Sequence, residues 1–433
     1  MPLPVCACVC ALALIGVATA SAATSASPVN YDEAKVRPYT LPGLLVLSNG
    51  SRVRDAKTWK VQRRPELLEL FAREVYGRTP GGRPRGMHWA VTSEDRAALG
   101  GKAVRKEVTV WFTEKKDGPK MHVLIYQPPG RPGARRWPAF LGLNFYGNQE
   151  VHSDPGITVS TSWMRPNAEY KIVSNRATEG TRGVRASRWA IEDVIARGYA
   201  TVTVYYGDLC EDHVDGMQRD VAAMFNTGTT EARAPDAWGA IGIWAWGLSR
   251  ALDYLESDRE IDAKRVAVHG HSRLGKAALW AGAQDERFAF VISNNSGAGG
   301  AALGMRDYGE TAARINAGFP HWFALNFRKY NGREETLPVD QHELIALTAP
   351  RPVHVASAEE DRWADPHGEF LAAKHAEPVY ALFGKKGLGV AKWPAVNQPA
   401  LGDGLAYHMR TGKHDVTDYD WARYLDFADK VMK

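Results

Sequence analysis

The hydrophobic rhythm of the chain changes near residue 137. Before it, apolar and polar residues alternate over 104–111 and 121–126, the period of half-buried strands. Lys115-Lys116-Asp117-Gly118 between them predicts a tight connection, hence an antiparallel pair. Upstream, 65–76 has helical spacing with Pro65 at its start and Gly77 as its stop, and Gly81-Gly82-Arg83-Pro84 marks a turn. From 137 onward, short continuous apolar runs predict buried strands over 137–143, 199–206, 288–294, 352–357 and 378–383. Helical spacings predict helices over 186–197, 234–255 and 421–432. Such alternation is the mark of a mostly parallel sheet flanked by helices. No linker or repeat interrupts it, so the pattern predicts one α/β domain over 24–433. Residues 24–62 form a lead-in, and 145–185 and 298–348 are inserted loops over one face.

One run organises the rest. Val-Ala-Val-His-Gly-His-Ser-Arg-Leu-Gly-Lys-Ala-Ala-Leu-Trp (266–280) reads as a strand, a sharp turn at Ser272 and a helix, the setting of a nucleophile elbow. A serine there exposes its Oγ above the sheet, and the backbone N–H of Arg273 points to where an oxyanion would form. The pattern is Gly-x-Ser-x-x-Gly: Leu274 stands where the stricter motif has its second glycine. A serine capping an ordinary strand-to-helix turn gives the same local pattern, so the decision rests on the rest of the chain.

Composition narrows the picture further. Residues 1–23 form an apolar run ending in small residues, which predicts a secretory signal peptide and a secreted or periplasmic protein. Cys6, Cys8 and Cys10 lie inside it, so Cys210 alone would remain and no internal disulfide is expected. With 54 basic and 49 acidic residues interspersed, neither a nucleic-acid partner nor membrane insertion is suggested. No metal cluster, phosphate loop or flavin fingerprint appears, so no cofactor is expected.

In an elbow-bearing fold the acid and then the histidine follow the nucleophile. His414, seven residues before the predicted final helix, is the candidate base, with His408 its competitor. The strand over 288–294 runs into Asn294-Asn295, without a carboxylate. The next runs into Glu359, Glu360, Asp361 and Asp365, one of which should orient the histidine, and Asp361 stands where the strand turns over.

Five ordered motifs then carry a resemblance: Gly-His-Ser-Arg-Leu-Gly-Lys-Ala-Ala-Leu (270–279), Ser-Gly-Ala-Gly-Gly-Ala-Ala-Leu (296–303), Phe-Pro-His-Trp-Phe (319–323), Asp-Arg-Trp-Ala-Asp-Pro (361–366) and Gly-x-His before Asp-Trp (412–421). Over 135–433 the chain resembles the glucuronoyl esterases, carbohydrate esterase family 15. The resemblance implies an α/β-hydrolase fold and cleavage, through an acyl-enzyme, of the ester between (4-O-methyl-)glucuronate of glucuronoxylan and lignin alcohols. It implies Ser272 as nucleophile, His414 as base, Arg273 as oxyanion donor, and Lys276, Glu310 and Trp363 as contacts to the uronate. Many members carry a glutamate where this chain has Asn295; others carry an aspartate matching Asp361. Two other readings remain: an acetyl or feruloyl esterase of the same fold, with no use for Lys276 and Glu310, and a catalytically silent glycan-binding protein. A monomer is expected.

Overall fold

The computed structural model describes Met1 and residues 28–130, 136–225 and 229–433. The leader expected over 1–23 therefore falls, apart from Met1, outside the described residues. A ten-stranded sheet runs in the order β1-β2-β3-β5-β4-β6-β7-β8-β10-β9. The strands are β1 His88–Ala98, β2 Ala103–Trp111, β3 Lys120–Gln127, β4 Trp137–Asn144, β5 Ala200–Tyr205, β6 Ile261–His271, β7 Phe290–Asn294, β8 Val353–Ala358, β9 Ala400–Leu401 and β10 Leu405–Arg410. β1, β2 and β3 form an antiparallel meander that joins β5 antiparallel. From β5 through β4, β6, β7 and β8 to β10 every pairing is parallel, and β9 closes the edge antiparallel.

The central strands are apolar on both sides because both faces are covered. In β6, Val266 and Val268 join the larger core with the helices Ala240–Leu255 and Arg273–Gln284. Ala267 between them joins a second core with Phe140, Phe290, Trp421 and Phe427, roofed by the helix Asp418–Val431. The apolar runs therefore show no period of two, as the sequence pattern requires.

One predicted strand needs correction, and three strands go unpredicted. The run over 378–383 is not a strand but the end of the helix Pro366–Leu382, which contains Pro378. Asp365 starts that helix by accepting from the Gly368 N–H at 2.9 Å, with Pro366 in its first turn. A proline before an apolar run looks like a strand boundary, but a helix this long tolerates the lost backbone bond. Of the strands the pattern leaves out, β9 is two residues long, and β10, Leu-Ala-Tyr-His-Met-Arg, hides two polar side chains in the interior. β1 was also unanticipated: it is mostly exposed and polar, so it carries little apolar signal. The remaining differences are of boundaries. The helix expected from 234 starts at Ala240, after Gly239, where a Cβ would collide with the Trp322 carbonyl. The segment 186–197 splits into a 3-10 turn, Ala186–Arg188, and the helix Ile191–Ala196. The helix expected over 65–76 is Arg64–Phe71 between two wide π turns, and it stops at Gly77 with φ +86°.

The parallel strands end at one edge of the sheet. Asp212 lies beyond β5, Ser272 follows β6, Asn295 follows β7, Asp361 follows β8 and His414 follows β10. Ligands in open α/β sheets bind at this carboxyl edge.

Candidate active site

Ser272 sits between β6 and the helix Arg273–Gln284 with φ +58° and ψ −131°, a left-handed conformation that a side chain resists. The turn is held by the Ser272 N–H donating to the Asn294 carbonyl at 2.9 Å. Its glycines are steric requirements. A Cβ at Gly270 would run into the Leu274 carbonyl, and one at Gly275 would press on the Gly270 carbonyl and the Ser296 side chain. The close helix–strand approach thus falls at 275, and Leu274 is free to be a buried core residue. The elbow therefore keeps its geometry without the stricter motif.

His414 Nδ1 lies 2.6 Å from Asp361 Oδ2. Asp361 is buried, whereas the His414 side chain is 40% exposed. Asn295 donates its Nδ2–H to the same Asp361 oxygen at 2.7 Å, so the carboxylate receives two donors. The other acids of the loop are elsewhere: Glu359 and Glu360 are exposed, and Asp365 is bonded to Arg306 at 2.8 Å. His408, the competitor, is fully buried with both ring nitrogens taken, by His354 at 2.8 Å and Asp420 at 2.9 Å.

The loop bearing His414 is pinned by a pair that sequence reasoning missed. Asp420 accepts from Arg410 Nε at 2.7 Å, and Arg410 Nη2 donates to the Lys413 carbonyl at 2.9 Å and the Asp415 carbonyl at 2.5 Å, one on either side of the histidine. Asp420 also caps the final helix through Thr417. Beneath the site, His271 Nδ1 bonds Asn294 Oδ1 at 2.6 Å, and its ring centroid is 4.4 Å from that of His414. Burial, reinforced by the neighbouring His414, holds the His271 pKa well below the usual histidine value. It therefore stays neutral beside the serine.

Arg273 opens the helix after Ser272, and its guanidinium bonds Asp212 Oδ2. It stacks 4.7 Å from the Trp322 ring and 5.2 Å from that of Phe319. Asp212 also accepts from the Trp322 indole at 2.8 Å, bonds His321 Nε2 at 2.9 Å and accepts from the Tyr206 hydroxyl at 3.2 Å. Burial alone would raise the Asp212 pKa, but Arg273, His321 and Trp322 outweigh it and hold the carboxyl well below the usual range. Asp212 was not anticipated; the Phe-Pro-His-Trp-Phe motif was the available signal, because its His and Trp need a buried acceptor.

Lys276, one helical turn on, is buried, and its Nζ donates to the Ser296 carbonyl at 2.7 Å, the Ala298 carbonyl at 2.6 Å and Glu310 Oε2 at 2.8 Å. All three ammonium protons are engaged, so Lys276 fixes Glu310 and the 296–298 loop. The Glu310 N–H donates to the Trp363 carbonyl at 2.9 Å, and the Trp363 side chain is 39% exposed. Under this loop lies Glu369, also unforeseen. Its Oε1 accepts from the Ser296 and Gly297 N–H groups at 2.8 and 3.1 Å, and its Oε2 lies 2.5 Å from Ser357 Oγ. Burial pushes its pKa up to about 8. Among the described residues no group of acids, histidines and cysteines could hold a metal ion. His213 bonds Glu211 at 2.7 Å. Cys210 is a buried free thiol.

Residues 188–384 match the family model described as Glucuronyl esterase, fungi. A carbohydrate esterase of an unknown prokaryotic organism is 50% identical over 403 residues, 93% of this chain and 92% of that one. A promiscuous CE15 esterase from a marine bacterial metagenome superposes with a TM-score of 0.87 at 50% identity, covering 94% of this chain and all 100% of that one. A glucuronoyl esterase from Solibacter usitatus does so with a TM-score of 0.86 at 49% identity, over 92% and 100% of the two chains. The α/β-hydrolase sheet, the elbow and this extent of likeness agree: the chain belongs to carbohydrate esterase family 15, the glucuronoyl esterases, and is a carboxylic ester hydrolase.

Proposed function

We propose that the protein cleaves esters of glucuronic acid or 4-O-methyl-glucuronic acid, joined in plant walls to lignin alcohols, through an acyl-enzyme. Ser272 attacks the uronate carbonyl, and His414 takes its proton and returns it to the leaving alcohol. Asp361 fixes the imidazole with its proton on Nδ1 and balances the charge that forms. The Arg273 backbone N–H and guanidinium receive the oxyanion. The buried Arg273 Nε has no hydrogen-bond partner, which supports that role. Glu310, held by Lys276, accepts from a ring hydroxyl, and Trp363 covers the sugar face.

The observation that carries the substrate is the buried pair that Lys276, on the nucleophile's own helix, makes with Glu310. A charge pair so far from water is costly to keep. A simple acetyl or feruloyl esterase gives it no task, whereas a hydroxylated acyl group beside the serine does. The likeness to the Solibacter usitatus glucuronoyl esterase points the same way. The test compares benzyl glucuronate with the acetate of benzyl glucoside, for the wild type and for Glu310→Gln. Preference for the uronate ester should shrink by about tenfold in the variant, the worth of one charged hydrogen bond. Higher kcat/KM on the acetate in the wild type would overturn the substrate.

The leader over 1–23 supports export to the periplasm or medium, with 24–433 as one catalytic domain acting as a monomer. Among the described residues no helix is long and apolar enough to cross a membrane. The chemistry draws on side chains and backbone donors alone.

A further inference from the structure

Among the described residues, Tyr31, Trp363 and Trp393 are the three most exposed of the Phe, Tyr and Trp residues, at 37, 39 and 38%. Isolated exposed rings are common and need no explanation, but contacts link these three into one rim although 31, 363 and 393 lie far apart in the chain. Arg362, adjacent to Trp363, places its guanidinium 5.2 Å from the Tyr31 ring centroid. Glu33, two residues beyond Tyr31, bonds Arg306 at 2.6 Å and lies 3.3 Å from His367 Nδ1. The His367 ring then stacks on Trp393, centroids 4.5 Å apart and planes 14° from parallel.

The N-terminal segment is anchored to the same rim, because the Gly309 N–H donates to the Asn30 carbonyl at 2.9 Å. Gly309 precedes Glu310, so the strap is continuous with the candidate uronate site. Trp393 is fixed at its edge by its indole N–H donating to the Tyr407 hydroxyl at 3.1 Å. The Tyr31 ring is thus held by Arg362 and the Trp393 ring by His367 and Tyr407, while part of each stays in water.

We infer that Tyr31 and Trp393, with Trp363 at their head, form a binding strip for the neutral pentose backbone of the glucuronoxylan whose uronate occupies the catalytic site. The inference rests on the proposed uronate esterase reading. A pyranose offers an apolar face to an aromatic ring and hydroxyls around its rim. The strip alternates rings with Arg362, Glu33 and His367, which can bond such hydroxyls. A lignin chain, aromatic with few hydroxyls, would leave those charges unmatched.

The experiment measures kcat/KM on benzyl glucuronate and on the same ester carried by a xylo-oligosaccharide, for the wild type, Tyr31→Leu, Trp393→Leu and the double variant. Both positions are exposed, so folding is not at stake, and melting curves check it. Each single variant should lower the ratio of oligosaccharide ester to small ester roughly three- to tenfold, mostly through KM, and the double variant by about the product. Equal losses on both substrates would overturn the strip. So would variants that alter only the preference between benzyl and methyl esters, which would assign the rings to the alcohol side. Calorimetric titration with unesterified xylohexaose separates this inference from the reading beneath it. Binding that weakens in the double variant supports the strip even if benzyl glucuronate is not cleaved, and no difference between wild type and double variant refutes it.

Discussion

Asp361→Asn isolates what the carboxylate contributes beyond holding a ring in place. In the folded protein Asp361 Oδ2 takes two donors, His414 Nδ1–H and Asn295 Nδ2–H. A carboxamide oxygen at the same position can still accept both, so the histidine should keep its tautomer and orientation. What disappears is the negative charge. With charge centres about 4 Å apart, an anion stabilises the imidazolium by about 4 kcal/mol at an effective dielectric of 20, and by about 2 kcal/mol if the dielectric is twice that. Because 40% of the His414 side chain is in contact with solvent, the range is bounded by screening, and kcat should fall roughly 30- to 1000-fold. That is less than the roughly 10⁴-fold loss seen where such a replacement also imposes the wrong tautomer. The assay is single-turnover acylation on benzyl glucuronate, which reads the proton-transfer step without product release. A second substitution sharpens it: Asn295→Glu in the Asp361→Asn enzyme returns a carboxylate to the histidine and should recover about tenfold. Full recovery is not expected, because residue 295 sits at φ +47°, where glutamate costs about 1 kcal/mol more than asparagine. Turnover of Asp361→Asn within threefold of the wild type would refute the charge argument.

Three further outcomes follow from the same geometry. Ser272→Ala should reduce ester hydrolysis below about one part in a thousand, while Ser272→Gly, equally inactive, should melt at higher temperature because it relieves about 1 kcal/mol of left-handed strain; equal melting of the two would remove the strain argument. Asp212→Asn should lower kcat about 100-fold or more with a smaller change in KM, since Arg273 loses the anion that aims it; an unchanged kcat would reduce Asp212 to a structural role. Glu369, with its pKa at about 8 in the folded chain against an ordinary 4.5, binds a proton in the folded state that the unfolded chain has already lost between those values. Its stabilising contribution is therefore complete below about pH 4.5 and is lost as pH rises to 8, so Glu369→Gln should flatten the decline in melting temperature between pH 5 and 8, and an undiminished decline would assign it to other groups.

The parts of the molecule legible in sequence were those encoded by short-range pattern. The elbow could be read because a β-branched run, two glycines and a helix start must coincide there, and the late histidine because chain order restricts it. Asp361 was harder. Four acids crowd its loop, and only burial and the 2.6 Å contact to His414 separate it from Glu359 and Glu360. Asp212 and Glu369 left no signal of their own. Asp212 sits among other acids, Asp208, Glu211 and Asp215, and nothing local sets it apart, while Glu369 lies inside a helix; their partners lie 61 and 73 residues away, at Arg273 and Ser296. β10 was hidden for the opposite reason. Its polar His408 and Arg410 point into the interior, where Asp420 satisfies both, so a buried strand carried an exposed strand's composition.

The carboxylates around the serine are separated in protonation by their neighbours. Asp212 is almost wholly buried, yet it faces a guanidinium, an imidazole and an indole N–H, and its proton is driven off. Glu369 is equally buried but faces only backbone N–H groups and the hydroxyls of Ser296 and Ser357, with Asp361 close enough to disfavour a second negative charge, and it keeps its proton through neutral pH. An ionised Glu369 would place a second anion beside Asp361 in the same buried pocket, which Asp361 opposes. A neutral Glu369 still accepts from the Ser296 and Gly297 N–H groups, so the loop whose carbonyls hold Lys276 keeps its shape without adding charge. One negative charge then faces His414, one faces Arg273, and the Lys276–Glu310 pair closes on itself.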